Sequence, residues 1–421
     1  MPPEIGSLTN LHAFYFDGNQ LASLPPEFSS LTGLAYLSLA GNQFSTFPAE
    51  IVNFPDLIGL NLSGNQLTSL PPEIGNLSGL YYLYLSDNQL IDLPPEIGNL
   101  TFLFGLTLAN NQLTQLPREI TNLEFHQWEY FPPTYLFDLS YNRLSLSDPA
   151  LIHYAHRYDP DWADTQTISP TNVQLHSAAP GSLTLSWTPI RYASGPGYYE
   201  LSLAEDPAGP YTVVATTPDK TSIGFTAFRL PTRPATYLRL RTFSAAHDDQ
   251  LQDLWSEYSE TLAILTSSVS PSEAASLSYT DDQDQITQVE VPAGAVSTPG
   301  TLYFSSPVPI RLERNFTFNG LAFKLGLYQN GAYTEARQLS APLTLTLTYQ
   351  EGSLTPEHLR LVYWDPVTRG WLDAVQTCSL PGTVEHRTEA HQLVVPVCQL
   401  GTYALVAAQP IQYLPAIRQS R

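Results

Sequence analysis

The groups in this chain best suited to chemistry are aromatic and amide side chains set at fixed intervals. Segments of the form Leu-x-x-Leu-x-Leu-x-x-Asn-x-Leu, as in Leu80 to Leu90, recur through its first third. Their asparagines are Asn19, Asn42, Asn65, Asn88 and Asn111, each 23 residues after the last, and then Asn142 after 31, which marks an eight-residue insertion. If each Leu-x-Leu core is a short strand, the residues flanking its middle leucine share one face. Those pairs are Ala13 and Tyr15, Tyr36 and Ser38, Gly59 and Asn61, Tyr82 and Tyr84, Gly105 and Thr107, and Leu136 and Asp138. The rings of Tyr15, Tyr36, Tyr82 and Tyr84 offer rigid contact area tipped with a hydroxyl, and Asn61, Thr107 and Asp138 add hydrogen-bonding groups. The set suits non-covalent recognition of a protein or a glycan. The competing reading is that tyrosine simply favours a half-exposed strand.

Other clusters carry less. His153, His156, Asp159 and Asp161 could be drawn around a metal, but a His pair three apart with two acids is a loose pattern. Asp281-Asp282-Gln283-Asp284 lacks the glycine and distal glutamate of a calcium loop and reads as a solvated hairpin turn. The sequence contains no Gly-x-Ser-x-Gly, phosphate loop, His-Glu-x-x-His or Cys-x-x-Cys. The reading is therefore a non-enzyme, with no catalytic residue, metal or cofactor expected. Cys378 and Cys398 are the only cysteines. An even pair favours a disulfide formed in an oxidising compartment, the alternative being two inert buried thiols.

Positioning the tyrosines requires a coiled scaffold. Pro-Pro-Glu-Ile-Gly at 2–6 returns near-verbatim at Pro25, Pro48, Pro71, Pro94 and Pro117, and proline's fixed φ suits the start of a helical turn. Period and leucine spacing together resemble the leucine-rich repeat, which implies a solenoid of parallel strands and short helical turns over residues 1–146. Six strands would make a sheet roughly 25 Å wide. The insert Glu124–Thr134, with Phe125, His126, Trp128, Tyr130 and Phe131, reads as a hydrophobic plug at the solenoid's end or as a lid over its concave face. Residues 147–167 read as a helical cap and linker. Sequons at Asn61, Asn76 and Asn99 lie within the repeat consensus and say little about glycosylation.

Beyond the cap the chain is β-rich and multidomain. Over 168–267, Trp187 and the run Leu230-Pro231 to Thr236-Tyr237 resemble the strand-B tryptophan and tyrosine corner of a fibronectin type III domain. That resemblance implies a two-sheet sandwich packed on Trp187, with the Tyr237 hydroxyl tied to nearby backbone. Over 268–409, Val289 to Val296 resembles the Val-Pro-x-Gly-Ala-Val segment of ZU-type modules, and Cys398 to Leu405 resembles the autoproteolytic tail of GAIN domains. A β-sandwich-like fold is implied. Gln399 and Gly401 stand where that tail needs a histidine base and a hydroxyl nucleophile, and Thr402 is one position late. Self-cleavage is therefore not expected. Residues 410–421 form a short tail with a basic end.

The net charge of −21 argues against nucleic acid as a partner. Residues 1–146 hold thirteen acids against two arginines, thinly spread, which suits solubility rather than a basic partner. No apolar run is long enough to span a membrane. Met1 is the only methionine and leads straight into the second half of a repeat, so the start reads as truncated and a secretion signal as missing. The expectation is a secreted or cell-surface, monomeric binding or adhesion protein. A structural matrix or surface-layer component is the alternative.

Overall fold

The computed structural model describes residues 1–52, 54–125, 136–179, 181–228, 234–308, 310, 316–335, 337–349, 358–379 and 383–408. Most of the insert, the Leu230-Pro231 part of the corner motif and the tail 410–421 lie outside the described residues.

The first third winds into six coils. Their strands are Ala13–Tyr15, Tyr36–Ser38, Gly59–Asn61, Tyr82–Tyr84, Gly105–Thr107 and Leu136–Asp138, paired in parallel in chain order. Each middle residue enters the core, where Leu37, Leu60, Leu83 and Leu106 are fully buried. After each strand the chain turns inward through one left-handed residue, namely Gly18, Gly41, Gly64, Asp87, Asn110 and Tyr141, with φ between 54° and 67°.

The asparagine that follows satisfies the backbone at this corner. Asn65 Oδ1 accepts from the Phe44 N–H (3.1 Å), and its Nδ2 donates to the carbonyls of Leu39 and Leu62 (both 3.0 Å). Asn88, Asn111 and Asn142 repeat the pattern one coil on. A seventh rung closes the ladder without an asparagine. Gln166 Oε1 accepts from the Leu144 N–H (3.0 Å), while its Nε2 donates to the carbonyls of Leu139 and Trp162.

On the convex side each coil makes a single 3-10 turn, such as Pro72–Asn76 and Pro95–Asn99, with Ile74 or Ile97 pointing inward. The glycine of the repeated motif is steric. A Cβ on Gly98 would stand 2.3 Å from the Glu119 carbonyl oxygen of the next coil, and on Gly6 2.4 Å from that of Glu27. The last coil is sealed by the helix Pro149–Tyr158, N-capped by Asp148, which buries Leu151, Tyr154, Ala155 and Tyr158. Phe125 packs there against Phe137 and Tyr158.

The middle module puts Gly224–Phe228, Ser182–Thr188 and Thr171–Ala179 in one sheet, facing Thr212–Thr216, Gly197–Ala204, Ala235–Ser244 and Leu262–Val269 in another. Trp187 is buried between them, edge-on to Tyr199 at 5.5 Å. The Tyr237 ring, on Ala235–Ser244, reaches beyond this sandwich. It packs against the core of the C-terminal module, near Asp206 and Tyr211. The outer face carries an alternating stack: Arg241 lies over Trp255 (4.0 Å) and Tyr258 (4.8 Å), and Arg239 between Tyr258 (3.6 Å) and Tyr211 (3.7 Å). Glu200 holds Arg241 at 2.8 Å. Ser256 and Ser259 hydroxyls accept from the Thr242 and Leu240 N–H groups, fixing the stack to its strand.

The boundary read at 267/268 falls inside Leu262–Val269. That strand pairs with Ala235–Ser244 on one side and with Gly300–Ser306 of the C-terminal module on the other. Among the described residues one sheet of eleven strands therefore crosses both modules. Alternation along Gly300–Ser306 sends Tyr303 to the middle core and Phe304 to the C-terminal core. The second C-terminal sheet runs Ala275–Thr280, Ile286–Val291, Gln338–Thr348, Gln392–Gln399 and Glu385–Arg387. Cys378 and Cys398 form a disulfide, S–S 2.08 Å, whose loop closure contributes roughly 3 kcal/mol.

The chain's two lysines are both buried. Lys324 Nζ donates to the Leu175 carbonyl and meets Glu335 (3.3 Å each). Lys220 is fully buried over the Tyr192 ring (3.7 Å), donates to Ser244 Oγ (3.2 Å), and is pushed by burial down to about 8. Among the described residues no helix is long and apolar enough to cross a membrane.

Two outcomes follow. Gly98→Ala drives a methyl into the Glu119 backbone and lowers stability by about 1–3 kcal/mol, read as a fall in denaturant midpoint. Burial raises the Asp159 carboxyl to about 6, so its favourable contribution is complete below pH ~4 and lost as pH rises through 6. Asp159→Asn should therefore flatten the decline in melting temperature between pH 4 and 6.5. An unchanged slope would show that Asp159 is not its source.

Candidate functional site

The parallel register sorts the concave face into two rows. One runs Ala13, Tyr36, Gly59, Tyr82, Gly105, Leu136, and the other Tyr15, Ser38, Asn61, Tyr84, Thr107, Asp138. Tyrosines of neighbouring coils do not stand side by side. Glycine separates Tyr36 from Tyr82, and the Tyr36 ring leans over it, so that a Cβ on Gly59 would meet that ring at 2.9 Å. Tyr15 and Tyr36 are exposed, at 66% and 43%.

Aromatic continuity comes from residues outside the strand pairs. Tyr82 stacks on Tyr84 within its own strand (6.2 Å, interplanar 3°). From Tyr82 the chain of rings continues to Phe104 (6.5 Å), then Tyr81 (5.1 Å), then Phe102 (6.5 Å). Phe102 is 60% and Tyr81 39% exposed. Five rings thus form one strip across coils four and five. Tyr81 and Phe104 stand immediately before the strands, a position the outward-pair rule omits, although their large aromatic types were visible there.

The polar members of the expected set are partly occupied. Asn61 Oδ1 accepts from Ser63 N–H (3.0 Å) and Asp138 Oδ1 from Ser140 N–H (2.9 Å), each bracing its own turn. Thr107 lies half-buried between Tyr84 and Asp138. Burial, together with Tyr82 alongside, raises the Tyr84 hydroxyl above its ordinary value. Burial also raises the Asp87 carboxyl; a hydrogen bond with Asn110 opposes this, and the charge of Asp138 adds to it.

The far edge of the face is braced by the middle module, through the left-handed residues Asn110 and Tyr141. Asn110 Nδ2 donates to the Asp249 carbonyl (3.2 Å), and its Oδ1 accepts from Leu251 N–H (3.3 Å). Gln252 Nε2 donates to the carbonyls of Asn88 and Asn110. Tyr141 meets Tyr192 and His247 edge-on, and the Tyr192 hydroxyl bonds His247 Nε2. Arg143 pairs with Glu257.

Other sequence candidates are engaged structurally. Asp159 Oδ2 accepts from Leu139 N–H (2.8 Å), and His156 bonds the Pro160 carbonyl and packs on Trp162. Asp281 Oδ1 accepts from the N–H groups of Gln283 and Gln285 in a hairpin turn. A Cβ at Gly401 would lie 2.5 Å from the Tyr363 ring, so the position has no room for a nucleophile's side chain.

Comparison with known proteins bears on the coils. Residues 55–99 match the family model described as leucine-rich repeats in two copies. A leucine-rich-repeat protein of Leptospira interrogans is 42% identical over 38% of this chain and 38% of its own, with a TM-score of 0.33. A plant ice-binding protein is 28% identical over 34% of this chain and 45% of its own, TM-score 0.28. The leucine-rich-repeat ectodomain of the receptor kinase SOBIR1 from Arabidopsis thaliana is 26% identical over 32% of this chain and 72% of its own, TM-score 0.27. The chain thus spans less than half the length of the first two. No curated protein matches.

Asn110→Gly relieves the left-handed strain but removes the links to Asp249 and Leu251. Hydrogen exchange at the Leu251 amide should quicken several-fold while coils one to three keep their protection. Unchanged exchange there would mean that Asn110 does not hold the seam.

Proposed function

We propose that this protein recognises a macromolecular ligand, protein or glycan, on the concave face of its leucine-rich repeats, and turns nothing over. The observation that carries the reading is the strip of five rings that runs from exposed Phe102 and Tyr81 through half-buried Phe104 to Tyr82 and Tyr84 on the sheet. Contiguous, partly exposed aromatic surface of this kind marks interaction sites, and leucine-rich repeats generally serve as protein-interaction modules. Tyr15, Tyr36, Asn61, Thr107 and Asp138 extend the surface to either side of Tyr82 and Tyr84.

In this reading the middle module is a fibronectin type III-like spacer and the C-terminal module a ZU/GAIN-like mount that does not cleave itself. The disulfide fits an extracellular setting, secreted or on the cell surface, and the protein acts as a monomeric binding or adhesion protein.

A glycan array together with a pull-down from a cell-surface protein fraction would identify the ligand. Tyr82→Ala with Tyr84→Ala should weaken its binding at least about tenfold, with the melting temperature held within a few degrees. A structural matrix component would instead self-associate whatever stands at 82 and 84. Self-association that survives the double substitution, with no ligand captured, would replace this reading.

A further inference from the structure

We infer that the ligand presented to this face is a cationic, arginine-bearing polypeptide segment, an inference that rests on the concave-face reading above. Two features converge. The aromatic strip ends at Tyr84, and the same row continues through Thr107 to Asp138, two strands or roughly 10 Å further on. Beside that end stand Asp87, whose N–H donates to the Ala109 carbonyl (2.9 Å), and the exposed Asp249 of the middle module, whose carbonyl accepts from Asn110 Nδ2. Thinly spread along the sequence, these carboxylates are gathered in space about residues 108–110: the Leu108 N–H bonds the Asp138 carbonyl (2.8 Å), Asp87 N–H the Ala109 carbonyl (2.9 Å) and Asn110 Nδ2 the Asp249 carbonyl (3.2 Å).

Among the described residues no ion pair offsets them. The solenoid's two arginines are committed elsewhere, Arg118 to Asp148 of the cap (3.8 Å) and Arg143 to Glu257. A ring face leading into unpaired negative charge fits a guanidinium, which stacks on the ring and donates to the carboxylate. The molecule already uses that chemistry internally, where Arg241 lies between Trp255 and Tyr258 and is held by Glu200. The concave strip presents the same partners, aromatic rings and carboxylates, with no arginine or lysine over them among the described residues.

The test is calorimetric titration of the full chain with hexa-arginine, hexa-lysine and a neutral hexasaccharide. Hexa-arginine should bind several-fold more tightly than hexa-lysine, because only the guanidinium stacks as well as pairs. Tyr82→Ala with Tyr84→Ala should cost about tenfold and Asp138→Asn about threefold, whereas the Phe double variant, which keeps the rings, should bind nearly as wild type. Glu73→Gln with Glu119→Gln, on exposed convex turns, should change nothing.

Equal losses from the convex and concave charge variants would overturn the inference, since binding would then be general attraction to an acidic surface. A neutral hexasaccharide bound in a Tyr82-dependent way, with hexa-arginine silent, would also overturn it while leaving the concave-face reading standing. Binding of either probe that ignores Tyr82 and Tyr84 would remove both.

Discussion

In coils two to six one amide side chain answers for three backbone groups that would otherwise be stranded at an inward turn. Asn65, Asn88, Asn111 and Asn142 each accept one N–H and donate to the carbonyls of two successive coils, so every rung fastens its coil to the one before. A buried unpaired amide or carbonyl costs about 1–3 kcal/mol, so this interaction separates a stack of loops from a solenoid. The parallel sheet, its register and the alignment of the two outward rows all depend on it. Gln166 shows how the array ends: a longer amide reaches the same groups from the cap and leaves no open rung.

The left-handed residue before each rung divides the array in two. Coils one to three use glycine, and Gly41 and Gly64 lie against the glycine one coil back, where a Cβ would stand 3.3–3.4 Å from its backbone. Coils four to six instead place Asp87, Asn110 and Tyr141 there, at a conformational cost of order 1 kcal/mol each. In return Asn110 and Tyr141 bind the 247–252 loop of the middle module. The half of the solenoid bearing the aromatic strip is also the half held against the rest of the molecule.

What was legible in the sequence was whatever repeats. The coil period, the buried leucines and the tyrosine rows follow from spacing alone, and the pairing of Cys378 with Cys398 follows from there being no other thiol. The rest depends on contacts distant in sequence. Gln166 is neither asparagine nor in phase with the period. Phe102, Tyr81 and Phe104 join Tyr82 only because consecutive coils lie one strand apart. The stack from Trp255 to Tyr211 draws on three separate strands and turns. Alternation within Leu262–Val269 identifies a strand but not its two neighbours, so the sheet shared between modules was read as a boundary.

That shared sheet also governs how the molecule would carry tension. Gly401–Ala408 is not an edge strand: it lies between Phe316–Gln329 and Leu359–Asp365, bonded to both. A pull arriving from the C-terminal side would therefore have to break two ladders together rather than peel a border strand. The resistance would pass along one hydrogen-bonded fabric toward the module that braces the coils.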